Sequence, residues 1–194
     1  SVVHQIKRIL YGIETKNQSA VRRNEKKLSK CLKSLNPSKY EDYRDLLFSK
    51  RYEGTCEWFF SAVEYKRWIN SNQRVLWIHG IPGCGKCTLS AFISINLVQN
   101  IFESSSAVSY FFCDDKDDRL RTPQAILRDL LSQLLRQNSH ALRHFAAEPE
   151  YALGGEKTSW TAEMLWRVFE RCLKDDSFGT IYFIIDALGM LIQL

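Results

Sequence analysis

The spacing of apolar positions changes several times along the chain, and each change predicts an element. Residues 1–13 set Val2, Val3, Ile6, Ile9, Leu10 and Ile13 at helical spacing with Lys7 and Arg8 opposite, and Asn17 and Ser19 suggest a break. Arg22 to Leu35 predicts a second, basic helix with Leu28, Cys31, Leu32 and Leu35 on its apolar side. Asn36-Pro37-Ser38 ends it, because proline disfavours helix in the residue before it. A shorter helix is expected from Tyr40 to Ser49. The next runs from about Glu57 to Trp68, with Thr55 as a cap and Trp58, Ala62, Tyr65 and Trp68 in register. Those aromatics either line a base pocket or pack on a sheet.

Val75-Leu76-Trp77-Ile78 has the apolar run of a strand, and Leu89 to Val98 returns to helical spacing. After a serine loop at 104–106, Ala107 to Phe112 predicts a short buried strand. Thr122-Pro123 opens a long helix as cap and first helical residue, with Ile126, Leu127, Leu130, Leu131, Leu134 and Leu135 forming a broad stripe. A loop is expected from Glu148 to Ser159. Trp160 to Leu173 follows as helix, with Leu165, Trp166, Phe169 and Leu173 inward. Finally Ile181-Tyr182-Phe183-Ile184-Ile185-Asp186 describes a strand buried on both faces with a carboxylate at its C-terminal end.

Between the expected strand at 75–78 and the helix from Leu89 lies Gly80-Ile81-Pro82-Gly83-Cys84-Gly85-Lys86-Cys87-Thr88. Strand, glycine-rich turn and helix are the context of a phosphate-binding loop. The glycines let successive N–H groups point inward at phosphate oxygens, and the helix N-terminus adds its positive end. Gly80, Gly83, Cys84, Gly85, Lys86, Cys87 and Thr88 are therefore the candidate nucleotide-binding residues, with Lys86 reaching the β- and γ-phosphates. The position after the lysine ordinarily supplies a hydroxyl to Mg²⁺; here it is Cys87. Asp186 is the candidate metal residue, holding Mg²⁺ through water.

Composition narrows the alternatives. The chain has 194 residues, 45% hydrophobic and 25% charged, which is ordinary for a globular protein. No apolar run reaches the ~18 residues of a membrane span. Residues 1–53 hold 13 Lys/Arg against 6 Asp/Glu, so this half could touch nucleic acid or anionic lipid. A solvated helix face is the preferred reading, and nucleic acid is not expected as a partner. Six scattered cysteines suggest reduced thiols in a cytoplasmic protein. Cys84 and Cys87 have the spacing of a redox pair, but the surrounding glycines and Lys86 fit a nucleotide loop better. Four carboxylates at 114–118 lack the glycine and closing glutamate of a calcium loop, and His140 and His144 lack a third ligand. Both groups are expected to be solvated.

At this point the residues carry a family resemblance. Trp77-Ile78-His79-Gly80-Ile81-Pro82-Gly83-Cys84-Gly85-Lys86 resembles the Walker A region of the NACHT-type signalling NTPases, and most of all the nephrocystin-like N-terminal module of fungal repeat proteins. Gly54-Thr55-Cys56-Glu57-Trp58, Tyr110-Phe111-Phe112, Arg121-Thr122 and Ile184-Ile185-Asp186-Ala187-Leu188 extend the likeness over roughly residues 52–188. It implies an α/β P-loop NTPase fold with a three-layer parallel sheet, incomplete at its C-terminus, in a partial NACHT-like domain at 52–194. A basic helical leader at 1–51 precedes that domain. It also implies a nucleotide-gated switch that takes ATP or GTP, with protein partners or self-association through the full-length chain. In the family a further strand inserts between the Walker A and Walker B strands. Two departures bear on chemistry: Cys87 replaces Ser or Thr, which weakens Mg²⁺, and Gly189-Met190 replaces Asp-Glu, which removes the acid that positions water. Hydrolysis is accordingly expected to be impaired. A scaffold module that no longer binds nucleotide, using helices 122–138 and 160–174 as contacts, is the alternative. A chain beginning at Ser1 and ending soon after Asp186 is expected to be part of a longer protein.

Overall fold

A computed structural model describes residues 2–70, 74–100, 105–113 and 117–187, with the backbone alone described at 2–17, 20, 118 and 119. Helix α1 runs unbroken from Val2 to Leu35, so the break expected at Asn17 and Ser19 does not occur. Neither Asn nor Ser forbids helix, and an exposed helix tolerates both. Proline does forbid it, and α1 ends where Pro37 requires, with Asn36 at a φ of 45°. Helix α2 is Tyr40–Ser49.

The single helix expected from Glu57 to Trp68 is two pieces, α3 (Trp58–Ser61) and α4 (Val63–Asn70), parted at Ala62 by an extended ψ of 140°. Thr55 does not cap it; its hydroxyl donates to Tyr52 O at 2.6 Å. Helix α5 is Lys86–Asn100 and strand β1 is Ala107–Phe112. Helix α6, Pro123–Gln137, starts as its sequence dictates: Thr122 caps it by accepting the Ala125 N–H at 3.2 Å. The stretch 148–159 is not simply loop, because α7 (Leu142–Ala146) is followed by α8 (Pro149–Gly154), with Pro149 in its first turn. Helix α9 is Ala162–Leu173, capped by Thr161, and strand β2 is Ile181–Asp186.

The described sheet has two parallel strands, β1 and β2, in register from Ala107 opposite Ile181 to Phe112 opposite Asp186. Helices cover both faces. Val108, Tyr110, Phe112 and Ile184 join Leu89, Ile93 and Leu97 of α5 and Tyr40 and Leu47 of α2. On the other face Phe111 meets Leu130 of α6, and Phe183 packs at a tilt against Phe169 of α9, their ring centres 5.3 Å apart. Beyond that lies a helical core of Leu131, Leu134, Leu135, Phe145, Leu165 and Val168. Cys31 and Leu35 of α1 are wholly buried in that core, and the Trp160 indole N–H donates to Ser34 Oγ at 3.0 Å. The end of α1 thus shares a core with α6 and α9.

The expected strand at 75–78 is the main difference. Residues 74–80 have no regular secondary structure, and Trp77 is 69% exposed. A helix closes its hydrogen bonds within itself, whereas a strand takes them from neighbours. Its sequence character alone does not supply a neighbour. The inward face of α9 also differs from expectation: Met164, Leu165, Val168 and Cys172 are buried, while Trp166 and Leu173 are about half exposed.

The outer edge of β1 is closed by side chains of α6. Gln133 Nε2 donates to Tyr110 O at 2.8 Å, and its Oε1 accepts Tyr110 N–H at 3.1 Å. Gln137, one turn on, repeats this with Val108 at 2.7 and 2.9 Å. Two amides spaced i, i+4 stand where a third strand would pair.

Candidate functional site

The loop at 80–88 lies between the irregular segment and α5. Gly83 and Gly85 take φ of 78° and 90°, left-handed values that a side chain at either position would strain. At Gly80 the constraint is contact, since a Cβ there would lie 2.8 Å from Cys84 Sγ. The Leu89 N–H donates to Gly85 O at 2.9 Å, so the helix grows directly out of the loop. Lys86 is its first residue. The Lys86 ammonium folds back onto the loop, donating to Gly80 O and Ile81 O at 2.9 Å each, with Cys84 Sγ at 3.8 Å. Cys84 is exposed and Thr88 half-buried.

Asp186 ends β2, and α5 packs against that strand. This brings the carboxylate beside Cys87, a residue 99 positions earlier. Burial, then the adjacent Asp186 carboxylate, pushes the Cys87 thiol up to about 12. Asp186 is 6% exposed; Ser90 Oγ lies 3.4 Å from its Oδ1, and its Oδ2 is buried and takes no hydrogen bond from nitrogen or oxygen. Ala187, immediately after, holds a φ of 58°, a strained value for a residue with a side chain.

The geometry therefore brings Lys86, Cys87 and Asp186 to one end of α5 and β2. Sequence reasoning missed Ser90. Its signal was available, because Ser90 is three residues after Cys87 and so lies on the same helix face. Met190 falls outside the described residues. The aromatics at 58–68 divide: Tyr65 and Trp68 pack, Trp68 reaching Tyr182 of β2 at 5.4 Å between ring centres, whereas Trp58 is 66% exposed. No cluster of three His, Cys, Asp or Glu suited to a metal occurs among the described residues. His144 serves structure, with Nε2 2.5 Å from the buried Asp175.

A phosphate group fits the loop: two left-handed glycines, a helix N-terminus and an ammonium converge there. Mg²⁺ does not fit the donor set as well. Asp186 offers the oxygen Mg²⁺ needs, but the side chain next to it nearest the phosphate end is a thiol.

Helices on both faces of a parallel pair, a glycine loop opening one helix and an acid ending one strand define an α/β protein with a nucleotide-loop-like turn. The chain belongs to the family described as Nephrocystin 3, N-terminal, whose model matches residues 54–189. It is similar to the vegetative incompatibility protein HET-E-1 of Podospora anserina, with 31% identity over 136 residues. That alignment covers 68% of this chain, which spans about a tenth of the relative's length. No solved structure matches the chain. The family assignment agrees with the module named from the sequence.

Proposed function

We propose that the chain binds the phosphates of ATP or GTP as the nucleotide module of a signalling protein acting in the cytoplasm, with little or no hydrolysis. One observation carries this: Lys86 opens a 15-residue helix directly after a turn made by Gly83 and Gly85 in left-handed conformation. On nucleotide binding the Lys86 ammonium would exchange two neutral loop carbonyls for anionic phosphate oxygens, a contact between opposite charges. Weak hydrolysis follows from Met190 standing where the family resemblance has an acid to orient water, since loss of such a group removes roughly 10²–10⁴-fold in rate. The relative's incompatibility role supports a signalling context. Among the described residues no helix is long and apolar enough to cross a membrane.

A second reading, a contact module without nucleotide, is favoured by Val75, Trp77 and Ile81, which are exposed in the loop and in the segment leading to it. Titration with a fluorescent nucleotide separates the two. Lys86→Ala should weaken binding roughly tenfold or more, since a hydrogen bond to a charged group contributes about 1.5–3 kcal/mol. Equal affinity in both proteins, or no binding by the parent, would favour the contact module.

A further inference from the structure

We propose that Cys87 and Asp186 make this a thiophilic cation site, so that the divalent ion accompanying a bound nucleotide is of the Zn²⁺ or Cd²⁺ class rather than Mg²⁺. The inference rests on the nucleotide reading above and names its cation. Cys87 follows Lys86 in the first turn of α5, at the end of the helix that faces the phosphates. Its thiol hydrogen-bonds the Asp186 carboxylate, which is 6% exposed and whose Oδ2 is buried and takes no hydrogen bond from nitrogen or oxygen. A buried carboxylate oxygen left unsatisfied is expensive, and a cation removes that expense.

The hydroxyls that could restore a hard oxygen site are displaced. Thr88 is one residue on, which turns its side chain about 100° around the helix. Ser90 does reach Asp186, at 3.4 Å, but sits three residues and so about 4.5 Å further along the axis from the phosphate end. The donors nearest the phosphates are therefore one sulfur and one carboxylate. Mg²⁺ demands oxygen ligands near octahedral geometry, whereas Zn²⁺-class ions accept thiolate with carboxylate at low coordination number. On binding, the ion takes the place of the Cys87 thiol proton, which leaves to solvent. Two protein ligands are too few to hold an ion alone, and no three-residue metal cluster occurs among the described residues. Phosphate oxygens must complete the shell. Cation and nucleotide then each tighten the other by the same factor.

The test uses the full chain, with Cys84→Ser run in parallel so that cadmium absorption from that exposed loop thiol is subtracted. A fluorescent ATP analogue is titrated in EDTA, Mg²⁺ and Cd²⁺, and the cadmium–thiolate charge-transfer absorption is followed in the ultraviolet. Cd²⁺ should tighten the nucleotide roughly tenfold over EDTA and Mg²⁺ by less than about twofold, tenfold being the size of one charge-assisted contact. Cys87→Ser should reverse that order. The absorption should appear only with nucleotide and Cd²⁺ together, and vanish in Cys87→Ser. A full Mg²⁺ response in the parent chain, above all one lost in Ser90→Ala, would overturn the inference by giving the ion to that hydroxyl. So would a Cd²⁺ response that survives Cys87→Ser. Nucleotide bound equally in EDTA and Cd²⁺ would defeat the cation site and leave nucleotide binding standing. Nucleotide bound in no condition would defeat both.

Discussion

Truncating Gln133 should damage this fold more than truncating any comparable polar side chain on its surface. Gln133 is 5% exposed and Tyr110, whose backbone it pairs, 4%. Its amide donates to Tyr110 O and to Asp129 O, at 2.8 and 3.1 Å, while accepting the Tyr110 N–H. Gln133→Ala leaves both backbone groups of Tyr110 in dry surroundings without that partner. An unsatisfied buried group costs about 1–3 kcal/mol, so two cost about 2–6 kcal/mol. That is a large share of the ~5–15 kcal/mol of a typical domain. Gln137 holds Val108 in the same way, but Gln137 is exposed and water can replace it. Gln137→Ala should cost about 0.5–1.5 kcal/mol. With a urea dependence of ~2–3 kcal/mol per molar, the midpoint should fall by ~0.7–3 M for Gln133→Ala and by ~0.2–0.8 M for Gln137→Ala. Equilibrium unfolding followed by circular dichroism and tryptophan fluorescence measures both. A Gln133→Ala loss under about 0.5 kcal/mol, or the reverse order of the two variants, would refute the view that α6 serves as the third strand.

Three further outcomes follow from buried groups. Leu35→Ala removes a wholly buried side chain of α1 from the core it shares with α6 and α9, and should cost about 2–5 kcal/mol in the same unfolding assay. Buried Asp175 is held well below the usual carboxylate range by Ser177, His144 and Arg143. A depressed folded pKa stabilises above the unfolded value near 4 and loses that stability as pH falls. Asp175→Asn should therefore flatten the acid limb of the stability profile between about pH 4 and 2. Thiol labelling should be ordered: Cys84, exposed, reacts first with iodoacetamide, while Cys31 and Cys172, both wholly buried and pushed up to about 12 by burial, react only on unfolding. Mass spectrometry of partly labelled protein would show the order.

The sequence foretold the elements whose signals are local. Thr122-Pro123 caps and starts α6 because both effects act within one turn, and Ala107–Phe112 is a strand within the bounds its aromatic and β-branched residues suggested. It failed where the deciding partner lies elsewhere. Val75-Leu76-Trp77-Ile78 reads like a strand but has no regular secondary structure, because strand character is local whereas strand pairing depends on a partner distant in the chain. The apolar period places Trp166 inward, yet α9 turns Met164, Leu165, Val168 and Cys172 to the core. Nothing in the pattern said that Gln133 and Gln137 would pair with a strand, since glutamines on a helix normally face solvent.

The candidate site divides in the same way, and the division explains its chemistry. Gly83, Gly85 and Lys86 were legible because the turn and helix start they make are contiguous in the chain. Asp186 was legible only as an acid ending an apolar strand; its place beside Cys87 depends on α5 packing across β2. That packing sets the character of the pair. Leu89, Ile93 and Leu97 of α5 meet Ile184 of β2 in one core, which fixes how α5 is rotated against the strand end. A fixed rotation is what places residue 87 beside the carboxylate and turns residue 88 away from it. The threonine that follows therefore cannot take the place of Cys87 beside Asp186, unless α5 turns and the core around Leu89 and Ile93 repacks. Such repacking of a well-filled core costs about 1–3 kcal/mol, comparable to what one hard ligand would return. The thiol beside Asp186 is thus held there by the core of the domain.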